Sequence, residues 1–482
     1  MPITLHQMFR SILPEIGLTL LAALLILLSI LKQKKFDQAL GWITASGMIV
    51  IGVLAFLFSK PGAEPILIWG GMLRLDDPGF LFRMLFLAGA ALTSIFASTE
   101  ESIRCRPEFY LMLVFSTLGM SFMASSSDLI MLFLAVETTS IPLYVMAGIK
   151  VKEERSVEAG IKYFLFGGMA SAIMVYGFSL IYGFSGTTQI YEIAAAISSQ
   201  QVPISAVVVA VVLVLTGFAF KISAAPFHFW APDVYEGAPT SVTGFLSTAS
   251  KAAGFAALIR LVMILFGAEH AAIWHTLIAV LAVASMFLGN LVAIPQKNIK
   301  RLLAYSSIAQ AGYILVGIAS GTAFGVAGAI YYIMAYLVTN LAIFAVVARI
   351  SKQTGSEDLS AFAGLNRRSP GLAFIMLIGL LSLGGIPPFG GFFAKLLVFG
   401  SVIETGWAWL AIVGVINSVI GLYYYLRILK IMYVDEPAKD TQVFEKSILW
   451  TVALGICVFG ILLLGIFFTP WFGFATQAAA GF

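Results

Sequence analysis

Apolar runs long enough to cross a bilayer fill this chain, and two of them are broken beside a lysine, at Lys221-Ile-Ser-Ala-Ala-Pro226 and at Pro387-Pro388-Phe-Gly-Gly-Phe-Phe-Ala-Lys395. In hydrocarbon, an exposed break strands backbone N–H and C=O groups, so a broken helix persists only where protein or a hydrated cavity covers it. An ionisable residue at such a break points to an ion or proton path. Of the 482 residues, 60% are hydrophobic and 11% charged, and the mean hydropathy is +0.98. No soluble domain needs that much apolar content for its core. The chain is read as an all-α polytopic membrane protein.

At about 20 apolar residues per crossing, the sequence predicts fourteen helices, near 12–31, 39–58, 79–97, 108–125, 128–149, 157–182, 204–231 (broken), 239–264, 270–294, 299–319, 325–350, 370–402 (broken), 406–434 and 446–468. The first apolar run follows a short polar stretch and has no small-residue cleavage site behind it, so it is read as a retained helix and not a signal peptide. Basic residues check the count. With the N-terminus outside, the outer loops hold only Arg10, Lys60 and Arg74. Arg83, Lys162, Lys221, Lys251, Arg260 and Lys395 fall inside spans, and the remaining nineteen of the 28 Lys and Arg fall in inner loops. Positive residues favour the cytoplasmic side, which puts both termini on the outer face. The net charge of +4 follows membrane side and does not suggest nucleic acid. Cys105 and Cys457 are too few and too far apart for a disulfide framework or a metal cluster. His270 and His275 lack the spacing of a zinc or haem site.

The breaks imply a repeat. Helices 4–8 (108–264) and helices 9–13 (265–434) are five-helix units in which the fourth helix is the broken one. Five is odd, so the second unit is expected to be inverted, as in ion-coupled transporters with a working site near the midplane. Residues 1–107 form an N-terminal three-helix region, and residues 435–482 carry the fourteenth helix.

Five charges lie inside the spans and call for a reason. Lys251 is expected ~18 Å and Lys221 ~16 Å from the inner face, and Glu137 ~14 Å and Lys395 ~12 Å from the outer face, at 1.5 Å per residue; Lys162 is shallower. Each costs ~2.5–3.5 kcal/mol to insert at a helix centre, so together they oppose insertion by of order 10 kcal/mol. Thr243, Ser247, Ser250 and Gly254 share the helical face of Lys251, a face that can hold water. Plainer readings stand beside these. Lys162 can snorkel to the inner interface, Glu137 and Lys162 can form a static pair between helices, and His228 is either a hydrogen-bonded structural histidine or a relay member. Arg83 and Arg260 are read as interfacial or packing residues.

The stretch from Lys221 through Pro226, His228 and Asp233-Val-Tyr-Glu-Gly237 to Thr240, followed by Ser247-Thr-Ala-Ser-Lys251, resembles the antiporter-like proton-pumping subunits of respiratory complex I, the NADH:quinone oxidoreductase. So do Leu134-Ala-Val-Glu-Thr-Thr-Ser-Ile-Pro142, Glu158-Ala-Gly-Ile-Lys-Tyr-Phe-Leu165, Arg301-Leu-Leu-Ala-Tyr-Ser-Ser-Ile-Ala-Gln310 and Gly384 through Lys395. The Asp233 run and a lysine at 395 resemble the subunit N branch more than subunit M, and the C-terminus is too short for the lateral helix of subunit L. The resemblance covers essentially the whole chain. It implies a proton relay on Glu137, Lys162, Lys221, Lys251 and Lys395, driven by quinone reduction elsewhere in the complex. NADH, FMN, Fe–S clusters and quinone would then belong to partner subunits, with subunit M and the small membrane subunits as neighbours, lipid around the chain and a bacterial inner membrane as its location. The chain carries no nucleotide fingerprint, Fe–S cysteine set or haem ligands of its own. Two alternatives remain: a subunit of a cation/proton antiporter, and a redox enzyme binding quinone directly.

A topology reporter fused after Phe482 is expected to read outside, because the segment from Phe467 onward has no Lys or Arg. A cytoplasmic signal would remove the fourteen-helix reading and its inverted repeat together.

Overall fold

The computed structural model describes residues 5–31, 34–62, 64–198, 203–265, 271–436 and 448–482. Lys32, Lys439 and Lys446 of the expected inner loops, His270, and the first residues of the last expected helix lie outside them.

Twelve helices among the described residues are long and apolar enough to cross a membrane, and the bent pair Trp450–Ile466 and Phe468–Ala479 makes up to thirteen. The remaining expected crossing, 370–402, is two 15-residue helices, Pro370–Gly384 and Gly390–Glu404, neither long enough alone. The break causes this shortfall: Gly385 turns the chain at φ 80°, a left-handed conformation that side chains disfavour. The first broken helix runs Ile204–Lys221, stops at the expected lysine, and resumes as Trp230–Gly237. Two features escaped the sequence reading. A small antiparallel hairpin pairs Ile66–Ile68 with Leu73–Leu75 in the second loop, and the chain turns by 87° before its last helix.

Neither break strands its backbone. At the first, Ala224 N–H donates to Ala219 O at 2.7 Å, Ala225 N–H to Ser285 Oγ at 2.8 Å, and Trp230 Nε1 to Phe220 O at 3.1 Å. At the second, Ile386 N–H donates to Leu381 O at 3.0 Å, and side chains take up the carbonyls of Leu383 and Gly384. This is the protein cover that a break in hydrocarbon requires.

The core lies on the central helices. In the helices Ile299–Ala319 and Ala323–Thr354, 94% of the most apolar window is buried, and in the span Thr240–Leu265 it is 89%; the value is 33% for Leu13–Ile30 and Glu154–Ser185 on the periphery. The Thr240–Leu265 span is not uniform. Turns of π-helix, Leu246–Ser250 and Leu261–Leu265, flank the α-helical Lys251–Arg260, and such turns redirect side chains and recur at working sites. Helix starts follow the sequence: Asp128 accepts from Ile130 and Met131 N–H, Asn298 from Lys300 and Arg301 N–H, and Thr322 from Gly325 N–H.

Small residues let helices touch, as membrane packing favours. A Cβ on Gly289 would sit 2.5 Å from Ala309 N and 2.7 Å from Tyr305 O, both backbone atoms, whereas one on Gly168 would meet nothing within 4 Å. Gly289→Ala is therefore expected to destabilise the chain by about 1–3 kcal/mol and Gly168→Ala to leave it unchanged. Thermal unfolding of the detergent-solubilised protein checks this; equal melting temperatures for the two variants would contradict the packing described.

Candidate functional site

Lys221, Lys251 and Lys395 are 4%, 3% and 5% exposed, so each ammonium has to find its partners inside the protein. Lys221, at the end of its helix, donates to Ser140 Oγ at 2.8 Å, on the helix Leu129–Ala147. Glu137 stands one turn before Ser140, within coulombic reach of Lys221. The Lys221 stem rests against Gly254, where a Cβ would lie 3.1 Å from Lys221 Cγ and 2.9 Å from Ile222 Cγ2. Gly254 is one turn beyond Lys251, so the Lys221 stem packs within a turn of Lys251 on the facing helix.

Lys251 donates to Ser307 Oγ at 2.9 Å and to Ser307 O at 3.1 Å, on the central helix Ile299–Ala319, and lies 6.0 Å from the centre of the Tyr235 ring. Of the polar face expected around it, Ser247 accepts from Asn340 Nδ2 at 2.7 Å, and Thr243 Oγ1 bonds back to Tyr235 O at 3.0 Å. Lys395 donates to Leu383 O at 2.9 Å, Gly384 O at 3.2 Å and Ser418 Oγ at 2.8 Å, and lies over the Tyr313 ring at 4.8 Å. Its cation thus meets the carbonyl end of the broken helix Pro370–Gly384, where orphan C=O groups and the helix dipole favour positive charge.

Polar groups of the central helix stand between Lys251 and Lys395, Ser307 on the Lys251 side and a hydrogen-bonded group around Ser306 and Gln310 on the Lys395 side. Beside Ser307, the Ser306 hydroxyl bonds the Tyr425 hydroxyl at 2.5 Å, and Gln310 Nε2 donates to Tyr425 Oη and to Leu383 O, each at 3.1 Å. Leu383 O is also a Lys395 acceptor, and the Tyr332 hydroxyl donates to Gln310 Oε1. The sequence motif that contains Ser306, Ser307 and Gln310 does not by itself give them a role. A hydroxyl pair three residues before a glutamine inside an apolar helix was the available signal. Tyr425, Ser140 and Ser418 gave none, because membrane helices carry such residues routinely.

Lys162 and Glu137 part company. Lys162 Nζ pairs with Asp233 Oδ2 and Glu158 Oε1, both at 2.6 Å, and its side chain is 35% exposed. Glu137 accepts from Ser171 Oγ at 2.5 Å. Ser171 lies nine residues beyond Lys162 on the same helix, ~13.5 Å deeper, so the static Glu137–Lys162 pair weighed from the sequence does not form. Asp233 is shared: Arg301 Nη1 reaches its other oxygen at 2.7 Å and Glu236 Oε2 at 3.1 Å. Partial burial of Asp233 opposes ionisation, but the hydrogen bonds from Lys162 and Arg301 prevail and hold its carboxyl below its ordinary value. His228 is 4% exposed, its ring is 4.5 Å from that of Phe229, and its Nδ1 has no hydrogen-bond partner. Arg83 and Arg260 are fully buried ion-pair members: Arg83 with Glu15 at 2.7 Å, and Arg260 with both Asp76 oxygens at 2.7 and 3.0 Å.

Two polar cavities mark the ends of the molecule. One, of about 580 Å³, is lined by Lys150, Arg155, Thr240, Lys300, Lys352 and Glu357 among others. The other, of about 500 Å³, is lined by Lys60, Arg74, Asp76, Gln477, Ala480 and Gly481 among others. Thr240 begins the Lys251 span, and Arg260, near the far end of that span, pairs with Asp76, so the cavities lie at opposite ends. Among the described residues, no group of His, Cys, Asp and Glu could hold a metal ion.

This arrangement has known counterparts. The family profile for the transmembrane region of NADH:quinone oxidoreductase and Mrp antiporters matches residues 126–421. NADH-quinone oxidoreductase subunit N of Moorella thermoacetica is 42% identical over 99% of this chain and 99% of its own length. A chain of respiratory complex I from Thermus thermophilus superposes with a TM-score of 0.81 at 30% identity, covering 95% of this chain and 98% of that one. A chain of the Mrp complex from a Dietzia species shares the fold, with a TM-score of 0.87 at 21% identity over 99% of this chain and 97% of that one. Matched along its length and in its core, the chain belongs to the transmembrane family of NADH:quinone oxidoreductase and Mrp antiporter subunits, with subunit N proteins among its full-length relatives.

Proposed function

We propose that this chain is a proton-translocating membrane-arm subunit of an NADH:quinone oxidoreductase and that Glu137, Lys162, Lys221, Lys251 and Lys395 carry the proton, with His228 beside them at the first break. The observation that carries this reading is how the deep lysines are held. Lys221 hydrogen-bonds to a hydroxyl, Lys251 and Lys395 to hydroxyls and backbone carbonyls, and among the described residues none of the three has a carboxylate at ion-pair distance. The buried arginines Arg83 and Arg260, by contrast, are each clamped to a carboxylate. A cation kept for structure is paired, because an unpaired one is costly to bury. A lysine that must lose and regain its proton needs neutral partners that tolerate both states.

In this reading Glu137 biases Lys221, and Lys162 with Asp233 serves the inner end. The proton moves along the midplane from Lys221 to Lys251, then through Ser307, Ser306, Tyr425 and Gln310 to Lys395 and the outer face. Hydroxyls donate and accept at once, so this line can pass a proton where apolar side chains cannot. The cavity lined by Lys150, Arg155, Lys300 and Lys352 is then cytoplasmic, and the cavity beside the C-terminus periplasmic, in a bacterial inner membrane. Residues 108–264 and 265–434 act as two inverted units around that line. Partner subunits supply the NADH, FMN, Fe–S and quinone chemistry, and a subunit M-like chain and small membrane subunits flank this one. The shared Mrp fold keeps a cation/proton antiporter as the second reading; Na⁺-dependent proton flux in vesicles would favour it.

Lys251→Ala removes the titrating group and leaves a good helix former, so the complex is expected to assemble while proton pumping and coupled quinone reduction fall strongly. Lys251→Arg should fail nearly as badly, because arginine keeps the charge but cannot release its proton. Both variants are measured in inverted vesicles, with assembly checked on native gels. An arginine variant that pumps normally would sink the relay.

A further inference from the structure

The inner cavity ends against one buried cation. Lys300 is 2% exposed, yet it lines that cavity together with Glu236, Ala238, Thr240 and Glu357. Its ammonium donates to Ala238 O at 2.7 Å and to Glu357 Oε1 at 2.8 Å, and the Glu357 side chain is 27% exposed. Ala238 lies in the turn that leads into the Lys251 span. Glu100 grips the start of the same span by accepting from Ser241 N–H at 3.1 Å and Ser241 Oγ at 2.9 Å. Lys300 stands at the start of the central helix, and Ser307, the partner of Lys251, follows seven residues later on the same face, ~10.5 Å away. Between them on that face is Ala304, which is fully buried.

From this placement we propose that Lys300, held by Glu357 and Ala238 O, is a gating residue that closes a direct inlet from the inner cavity to Lys251, separate from the Lys162 and Lys221 side. The inference rests on the relay reading above for its purpose, but not for its geometry. A fixed ammonium at the cavity floor repels a proton-bearing water and fills the gap beside Ala304. When the lysine swings away from Ala238 O and Glu357, water can reach Ser307 without any change in the helices. Lys300 is thus a positioning residue, acting on access and touching neither Lys251 nor Ser307 among the described contacts.

Access is tested directly. In the assembled complex carrying Cys105→Ser, so that the exposed native thiol is gone and the other, Cys457, is buried, Ala304→Cys is labelled by a membrane-impermeant cationic thiol reagent applied to inverted vesicles. Labelling is expected to be slow with Lys300 present, several-fold faster with Lys300→Ala, and slow again with Lys300→Arg, which keeps a cation at the floor. In chains without the cysteine probe, Lys300→Ala should lower the protons moved per electron while quinone reduction continues, and Lys300→Arg should restore the ratio. Should Lys300→Ala fail to assemble, Glu357→Gln carries the test, with a several-fold rise in labelling expected. Unchanged labelling in the assembled variants overturns the gate. Labelling does not depend on pumping, so a failed relay reading, seen as a Lys251→Arg variant that pumps, is a separate result.

Discussion

Broken backbone and buried ammonium groups solve one another's problem in this fold. A helix that stops inside hydrocarbon leaves carbonyls without donors, and a lysine there has donors without acceptors. At the second break, Lys395 reaches across to Leu383 O and Gly384 O, closing the helix end with its own charge. At the first, the helix ends on Lys221 itself, whose ammonium goes to a serine on the neighbouring helix. The central helix Ile299–Ala319 then has to carry polar groups on its inner faces, and packing had to be built around them. Almost all of its residues are buried, and its Ser306, Ser307 and Gln310 serve both Lys251 and the carbonyl that holds Lys395.

The charges of the spans fall into two kinds by partner. Arg83 is locked to Glu15 within the N-terminal helices, and Arg260, locked to Asp76, ties those helices to the C-terminal end of the Lys251 span. Removing one member of such a buried pair costs about 3–5 kcal/mol, since it strands the other. The three deep lysines lack that lock. Their hydroxyl and carbonyl partners are weaker, which leaves the protonation state open to change. Near the opposite end, Lys162 and Lys300 are paired again, with Asp233, Glu158 and Glu357. Locked pairs therefore stand toward both ends of a middle that is not locked.

Much of this was legible in the residues. Hydropathy located the twelve membrane-length helices among the described residues, because a span has to supply about 20 apolar residues in a row whatever it packs against. Proline and glycine at 226, 385, 387 and 388 marked the breaks, since neither continues a helix comfortably. The lysines stood out because charge in an apolar run has no neutral explanation. The expected match of depth between Lys221 and Lys251 needed only the rise per residue, and Gly254 against the Lys221 stem agrees with it.

Partnership was not legible. Nothing local told Lys162 to choose Asp233, 71 positions away, over Glu137, or gave Lys251 a serine on the central helix. The short segments 370–384 and 390–404 read as one crossing because hydropathy counts residues and not direction. The hairpin at 66–75 and the 87° turn before the last helix depend on contacts that a linear pattern does not contain. The sequence by itself determined that the chain spans a membrane, where its helices break and that Lys221, Lys251 and Lys395 are buried, because each of these follows from the cost of placing a residue type in hydrocarbon. Only the tertiary structure decided which hydroxyls and carbonyls receive those lysines, because a hydrogen bond forms between atoms about 3 Å apart, and helices far apart in the chain reach that distance only once they are packed.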